Sequence, residues 1–229
     1  MQIPSKVVHE VLTDNGVTDI HHANSVLTAC QFLRAGALLS RGTIERRDLF
    51  QTAQSSDDLD QKFSLWFDVF TDSVDIHQRA GRANAYGPAL LVLDVSIIKE
   101  AYTGGVWVTK LNPTKWEGKK HEERWFTSPK DLRENFVRGR FDQMVVFRHC
   151  GGELPLGGYL KEIILDDPNY KSPGNIDIHS MARGALILAK TEGSISAKIS
   201  KRKCQEGCRC LADYKKDRKR MLRMFLPKE

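Results

Sequence analysis

Three cysteines near the C-terminal end of the chain have a spacing that can hold a metal ion. Cys204, Cys208 and Cys210 form a C-x3-C-x-C pattern, whereas Cys30 stands alone in apolar surroundings. Three close thiolates bind Zn²⁺ when a fourth ligand completes a tetrahedron. The sequence therefore predicts either a Zn²⁺ site or a group of reduced structural thiols. The candidates for a fourth ligand are Cys150, His149 and His179.

Aromatic and basic side chains are interleaved a little beyond the middle of the chain. Trp107, Lys110 and Trp116 lie within ten residues of one another, and more lysines follow. Bases of single-stranded nucleic acid stack on aromatic rings at about 1–3 kcal/mol per base, while cations contact the phosphates. This pattern predicts a surface for single-stranded DNA or RNA. The alternative is that the tryptophans belong to the core and the lysines to a solvated face.

The surplus of positive charge lies at one end of the chain. The 229 residues contain 35 Lys and Arg against 29 Asp and Glu, a net charge of +6. Residues 198–229 hold 12 of these basic side chains and only 4 acidic ones, and Lys201, Arg202 and Lys203 are consecutive. Contacts to phosphate need no particular spacing, so this segment is also expected to bind nucleic acid. The sequence predicts a domain over residues 1–197 and a basic, cysteine-containing tail over residues 198–229.

Several common classes of protein have no support in the sequence. The glycine-rich dinucleotide and phosphate loops, the H-E-x-x-H zinc motif and the G-x-S-x-G nucleophile motif do not occur. Nor does a run of eighteen apolar residues or a cationic start followed by an apolar stretch. We expect a soluble, cytoplasmic protein without a membrane partner.

The elements that must position these side chains alternate irregularly between short strands and helices. This order predicts an α+β fold, with one domain of short mixed or antiparallel strands, flanking helices and a basic helical tail. The segment 42–56 is expected to be an irregular loop. Predicted strands are 17–22, 37–41, 65–70, 89–95, 106–109, 144–147 and 159–165. Predicted helices are 26–35, 57–63, 72–84, 129–138, 176–190 and 211–225.

Polar side chains stand at the end of the first predicted strand. The segment Asp19-Ile20-His21-His22-Ala23-Asn24 leads into a helix, and Gly36-Ala37-Leu38-Leu39-Ser40-Arg41 follows that helix. This order resembles the entry to the ADP-ribosyltransferase fold in DarT-like, defence-type enzymes that modify nucleic acids, and the resemblance covers residues 17–168. It implies that His22 contacts the ribose of NAD⁺, Asn24 the nicotinamide side and Arg41 the phosphates. Without the resemblance, the same residues are a partly buried histidine, a helix cap and a loop charge.

The resemblance also implies roles for two later segments. The family has a strand that passes into a helix beneath the nicotinamide, and here Asp75 and His77 fall in that helix, as NAD⁺ contacts or as solvated polar residues. The family's catalytic glutamate corresponds in position to Gln143, which carries no negative charge. Asp142 and Glu153 are the alternative acids.

The predicted function is transfer of ADP-ribose from NAD⁺ to a nucleobase of single-stranded DNA or RNA. A toxin of this kind implies a neutralising antitoxin or chaperone as a partner. One alternative is a nucleic-acid-binding module without catalysis. Another is an NAD⁺-dependent phosphotransferase that removes an RNA 2′-phosphate, which needs clustered Arg and His residues, for which Arg79 and Arg148 are candidates.

Overall fold

The structure, a computed structural model, describes residues 2–54, 56–80, 83, 85–102, 105–172, 174–202 and 208–226. These residues form a mixed eight-stranded sheet and a separate two-stranded sheet, surrounded by helices. The predicted α+β class is confirmed. Within the described chain, every helix is too short or too polar to cross a bilayer.

Strands and helices are numbered here in chain order. The strands are β1 (Ile3–Pro4), β2 (Asp19–Asn24), β3 (Ala37–Leu39), β4 (Val69–Asp72), β5 (Ala89–Asp94), β6 (Gly105–Val108), β7 (Met144–Phe147), β8 (Glu153–Pro155), β9 (Leu160–Leu165) and β10 (Lys198–Lys201). The α-helices are α1 (Ser5–Asp14), α2 (Val26–Ala35), α3 (Arg41–Arg46), α4 (Asp57–Lys62), α5 (Ile76–Ala80), α6 (Ile97–Glu100), α7 (His121–Arg124), α8 (Pro129–Asn135), α9 (Ile178–Glu192), α10 (Cys210–Lys216) and α11 (Arg218–Phe225).

The large sheet has the strand order β1-β6-β7-β4-β2-β5-β9-β10, and β3 pairs with β8 in the small sheet. All neighbouring pairs are antiparallel except β9 and β10, which run parallel. The first five residues of β5 are buried, because β5 lies inside the sheet with both faces covered. Its unbroken apolar sequence is typical of such a strand.

Local signals in the sequence explain where α2 begins and ends. The Thr28 N–H donates to Oγ of Ser25, so Ser25 is the N-cap. Gly36 adopts the left-handed conformation with φ 65° and ends the helix. Helix α9 packs against α2 with a buried stripe at helical spacing. The residues of that stripe are Ile178, Ala182, Leu186 and Ala189.

Four predicted elements differ from the observed ones. Helix α3 occupies the start of the predicted 42–56 loop, because Oγ of Ser40 accepts the Thr43 N–H and caps a short helix. Strand β4 begins at Val69, since residues 65–68 form a turn closed by the Asp68 N–H and the Leu65 carbonyl. Helix α5 begins only at Ile76. The last predicted helix is divided into α10 and α11 at Asp217, whose extended φ of −126° breaks the helical backbone.

The basic C-terminal segment is part of the main body, which differs from the predicted separate tail. Strand β10 continues the large sheet by pairing with β9. Tyr214, Met221, Met224 and Phe225 are buried in the same hydrophobic core as the sheet. The apolar side of α10 and α11 therefore joins the domain, and their basic residues remain on the outer side.

Candidate functional site

A deep cleft opens where β2 and β4 diverge. The two strands share one register pair, His21 opposite Asp72, whereas β2 pairs with β5 over all six of its residues. Strand β4 pairs with β7 over its own length. The two halves of the sheet therefore separate on one side of His21. The cleft encloses about 1000 Å³ when the space open to solvent is included.

Three of the predicted NAD⁺ contacts, His22, Asn24 and Arg41, meet in the lining of this cleft. Arg79, which the sequence suggests only for the phosphotransferase alternative, also lines the cleft. Polar lining residues that the sequence did not single out include His21, Asp60, Asp68, Asp72 and Tyr86. The remaining predicted site residues that the structure describes lie outside the lining: Asp75, His77, Trp107, Lys110, Trp116, Asp142, Gln143, Glu153, Lys201, Arg202, Cys208 and Cys210.

The imidazole of His22 spans the gap between the two strands. Its Nδ1 lies 2.7 Å from the carbonyl oxygen of Phe70 in β4. A carbonyl oxygen only accepts, so Nδ1 carries the proton. Burial lowers the pKa of His22, although the Phe70 carbonyl acts in the opposite direction, and the ring is neutral. Its Nε2 is then a bare acceptor, buried and without a hydrogen-bond partner in the described chain.

Asn24 and Arg41 are held by their own neighbours. Asn24 is 3% exposed, and its Oδ1 accepts the Ser25 N–H at the start of α2. The guanidinium of Arg41 donates to both carboxylate oxygens of Asp57, at 2.9 and 2.5 Å, and to the Thr52 carbonyl at 3.0 Å. Asp57 therefore fixes the orientation of Arg41 and neutralises much of its charge.

Three carboxylic acids in the lining are weaker acids than usual. Burial raises the pKa of Asp60, Asp68 and Asp72 to about 6 in each case. Asp68 is also ion-paired with Arg148, whose Nε lies 2.8 Å away. Asp72 forms an ion pair with Arg79, at 3.5 Å. Carboxylates near pKa 6 are stronger bases than ordinary ones and are still ionised at neutral pH.

An exposed aromatic ring lies beside Arg79 at the cleft. Phe141 is 44% exposed and lines the cleft, and the guanidinium carbon of Arg79 lies 5.0 Å from the centre of its ring. Burial raises the pKa of the Tyr86 phenol, and the negative charge of Asp72 adds to the effect. One side of the cleft thus combines a cation, an acid, a phenol and a ring that can stack.

The three residues predicted as the catalytic acid have other contacts. Gln143 is buried, its Oε1 accepts the Val137 N–H at 2.7 Å and its Nε2 donates to the Asn135 carbonyl. Asp142 accepts from Lys115 and from the Asn112 N–H. Glu153 forms an ion pair with Arg47. Gln143 and Asp142 therefore hold loops in place, and Glu153 belongs to a surface ion pair. None of the three side chains faces the cleft.

Asp75 belongs to a buried ion-pair network and not to the cleft lining. Arg202 lies 2.5 Å from Asp75 and also pairs with Asp166. All three side chains are at most 8% exposed. Arg202 thereby joins the end of β10 to the residues before α5, so it is unavailable to phosphate, contrary to its predicted role.

The predicted base-stacking residues are engaged within the protein. Trp116 is 1% exposed and its indole N–H donates to the Leu111 carbonyl. Trp107 packs edge-to-face on Trp125 with ring centres 5.1 Å apart. Lys110 forms a 2.5 Å ion pair with Asp131. The tryptophans therefore form a small second core, which corrects the prediction of a stacking surface.

The C-terminal cations and thiols have different surroundings in the structure. Lys201 is exposed but forms an ion pair with Asp167, and Lys203 and Cys204 lie outside the described residues. Cys208 and Cys210 are not in a disulfide bond, and they lie beside His77. The exposed cations on α10 and α11 are Lys215, Lys216, Arg218, Lys219 and Arg223.

Comparisons with known proteins do not assign the chain to a family. No protein-family model matches the chain, and no curated protein is similar to it.

Proposed function

We propose that the protein is an NAD⁺-dependent ADP-ribosyltransferase that binds NAD⁺ in the cleft between β2 and β4 and modifies a base of single-stranded DNA or RNA. The observation that carries the proposal is the buried, unpartnered Nε2 of His22 in that cleft. A neutral imidazole nitrogen of this kind accepts a hydrogen bond from a hydroxyl group. The ribose of NAD⁺ offers such a donor, and the sequence resemblance names the same residue for it.

The rest of the lining supplies the other groups that NAD⁺ needs. Arg41 and Arg79 provide two guanidinium groups for the pyrophosphate. Arg79 is the more available of the two, because its contact with Asp72 is 3.5 Å long, whereas Asp57 holds Arg41 with two shorter bonds. Asn24, at the start of α2, is assigned to the nicotinamide side.

Asp72 is the proposed general base, in place of Gln143, Asp142 and Glu153. In the reaction the bond between C1′ of the ribose and the nicotinamide nitrogen breaks, and nicotinamide leaves with the bonding electron pair. A nitrogen of the nucleobase forms the new bond to C1′ and gives its proton to Asp72. A carboxylate with a pKa of about 6 is ionised at neutral pH and basic enough for this step. Its negative charge also stabilises the positive ribosyl centre.

Exposed groups at the cleft and on α10 and α11 favour a nucleic acid as the acceptor. The half-exposed ring of Phe141 at the cleft is available for base stacking. The exposed cations of α10 and α11 provide sequence-independent contacts to phosphate. Binding that depends on such contacts weakens as the salt concentration rises.

The test is transfer of label from ³²P-NAD⁺ to single-stranded oligonucleotides of DNA and of RNA. The wild-type protein should label an oligonucleotide and release nicotinamide. His22→Ala should lower the rate by at least about 100-fold, because the ribose loses its hydrogen-bond acceptor in a water-poor site. His9→Ala on α1 is the matched control and should retain the wild-type rate. Oligonucleotide binding without any consumption of NAD⁺ would refute the proposal and favour the binding module.

The role of Asp72 has its own test in the pH dependence of the rate. Because Asp72 must be ionised to accept a proton, kcat should rise with pH through about 6 and then level off. Asp72→Asn should lower kcat by about 100–10,000-fold and abolish this acidic limb, and Asp58→Asn on the exposed side of α4 should change neither. A variant that retained both the wild-type rate and its pH profile would exclude Asp72 as the base.

A second reaction is supported by some of the same cleft residues. Removal of an RNA 2′-phosphate by NAD⁺ needs clustered Arg and His residues, and the cleft lining includes two of each: His21, His22, Arg41 and Arg79. Arg148, the other candidate, is engaged by Asp68. Consumption of NAD⁺ only in the presence of a 2′-phosphorylated RNA would favour this reaction over base modification.

A further inference from the structure

Three side chains that can bind a metal ion, from two distant parts of the chain, come together outside the cleft lining. His77 lies in α5, Cys210 is the first residue of α10, and Cys208 precedes it by two residues. One ligand atom from each residue lies within 4.8 Å of the other two. His77 and Cys208 are 131 positions apart in the sequence, yet the imidazole Nε2 is 3.4 Å from the thiol sulfur.

These separations are close to those of a tetrahedral zinc site. Zn–N bonds of about 2.05 Å and Zn–S bonds of about 2.3 Å at tetrahedral angles place N and S about 3.6 Å apart, and two sulfurs about 3.8 Å apart. The observed 3.4 Å between Nε2 and Sγ is within a few tenths of an ångström of that value. The other two donor separations are no longer than 4.8 Å, so an ion can be bound after side-chain shifts of about 1 Å or less. Two thiolates with an imidazole are a donor set that Zn²⁺ prefers.

The burial of the group also points to a bound ion. His77 is 7% and Cys210 is 2% exposed, and Cys208 is partly buried. The Nε2 nitrogen of His77 has only a weak contact with the Cys208 thiol, which poorly compensates a buried imidazole for the loss of water. Coordination of Nε2 to a cation compensates it better.

We propose that His77, Cys208 and Cys210 bind Zn²⁺ and that the ion fastens α5 to the start of α10. A fourth coordination position remains for water or another ligand. The ion also affects the cleft, because α5 carries residues of both sites. This consequence rests on the proposed function. Ile76 and Arg79 flank His77 on this short helix and line the cleft. The ion thus positions the helix that carries Arg79.

The direct test is the metal content of the full-length protein, measured by elemental analysis after purification without added chelator. Wild type should contain one zinc per chain, and Cys208→Ser and His77→Ala should each lose most of it. The matched controls Cys30→Ala and His9→Ala should keep it. Wild type without stoichiometric metal, or Cys208→Ser with full metal content, would overturn the proposal.

A second measurement does not depend on how the variants fold. Replacement of the bound metal in wild type by Co²⁺ should give the intense d–d absorption of a tetrahedral site and a thiolate-to-cobalt charge-transfer band. A spectrum of octahedral Co²⁺ without the charge-transfer band would exclude thiolate coordination. Because neither measurement uses NAD⁺, failure of the metal site and failure of the proposed transferase activity are distinguishable. If both proposals hold, removal of the metal should raise the KM for NAD⁺.

Discussion

The polar residues of the cleft are arranged at a cost to stability. Asp60, Asp68 and Asp72 are ionised at neutral pH although burial raises their pKa values to about 6. A group whose folded-state pKa is raised binds its proton more tightly in the folded state. Its contribution to stability is therefore largest at low pH and is lost as the pH rises through about 6. Such unfavourable burial is typical of sites that bind or react.

Asp60→Asn should stabilise the protein at neutral pH. The amide keeps the shape of the side chain and removes the buried charge, whose pKa is raised from 3.8 to about 6 by burial. We expect a gain of about 1–3 kcal/mol at pH 7.5, with a Tm rise of roughly 2–4 °C per kcal/mol. The gain should shrink as the pH falls towards 4, where the wild-type carboxyl group is protonated in the folded state.

Thermal unfolding at several pH values measures this effect. Asp58→Asn, on the exposed side of the same helix, should change the stability by no more than about 0.5 kcal/mol at any pH. An unchanged or lower Tm for Asp60→Asn at pH 7.5 would contradict a buried, destabilising charge at this position.

At the scale of elements, the cleft exists because β2 has two different partners. It pairs fully with β5 but shares only one register pair with β4. The end of β2 is held from the β5 side by a close backbone contact at Gly87, whose φ is 144°. A Cβ atom on Gly87 would lie 2.1 Å from the carbonyl carbon of Asn24 and 2.3 Å from the Ser25 nitrogen. Glycine is therefore required where the chain enters β5.

Gly87→Ala should displace the end of β2 and the start of α2. The added methyl group collides with backbone atoms, which cannot rotate away, so we expect a loss of about 1–3 kcal/mol from overpacking alone. Because Asn24 lines the cleft, the KM for NAD⁺ should also rise. Chemical denaturation and NAD⁺ titration measure the two effects.

Gly118→Ala is a control that separates the free-energy cost of backbone strain from the cost of the steric collision at Gly87. Gly118 also has a positive φ of 66°, but nothing lies within 4 Å of the position that a Cβ atom would take. This control should lose the smaller free energy of backbone strain and keep the KM for NAD⁺. Equal effects of the two substitutions would mean that the contact with Asn24 is unimportant.

At the scale of the whole molecule, the basic end and the body form one folding unit. Phe225 is fully buried in the core that also holds α2 and the sheet. Arg202 closes a buried network with Asp75 and Asp166. A cationic surface is therefore attached rigidly to the domain that contains the cleft, so the proposed nucleic-acid substrate would have a fixed position relative to the cleft.

Phe225→Ala should destabilise the whole protein. Removing a fully buried phenylalanine side chain costs about 3–5 kcal/mol. Urea unfolding should give a single transition with a lower midpoint, since the core is shared. Phe50→Ala is the matched control, because Phe50 is 70% exposed and should change the stability by only about 0.5 kcal/mol or less. A wild-type midpoint for Phe225→Ala would restore the interpretation of residues 198–229 as a separate tail.

The sequence predicted those features whose causes lie within a few residues. Ser25 and Gly36 delimit α2 by capping, the apolar run of β5 marks an inner strand, and the spacing of α9 marks its buried face. The polar group at the end of β2 also follows from the local order of strand, turn and helix. The short helix α3 was missed because only its cap, Ser40, signals it, while Gly42 disfavours it.

Only the tertiary structure decided which polar side chains are buried, paired or free. Gln143 and Glu153 are engaged by neighbours that local sequence does not identify, and Asp72 enters the cleft only because β4 diverges from β2. The hydrogen bond of His22 reaches 48 residues along the chain, and the contact of His77 with Cys208 reaches 131. The sequence by itself determined the elements and the presence of reactive residue types. Protonation states, and the metal binding proposed for His77, Cys208 and Cys210, depend on burial and on groups brought together from distant segments, which only the fold determines.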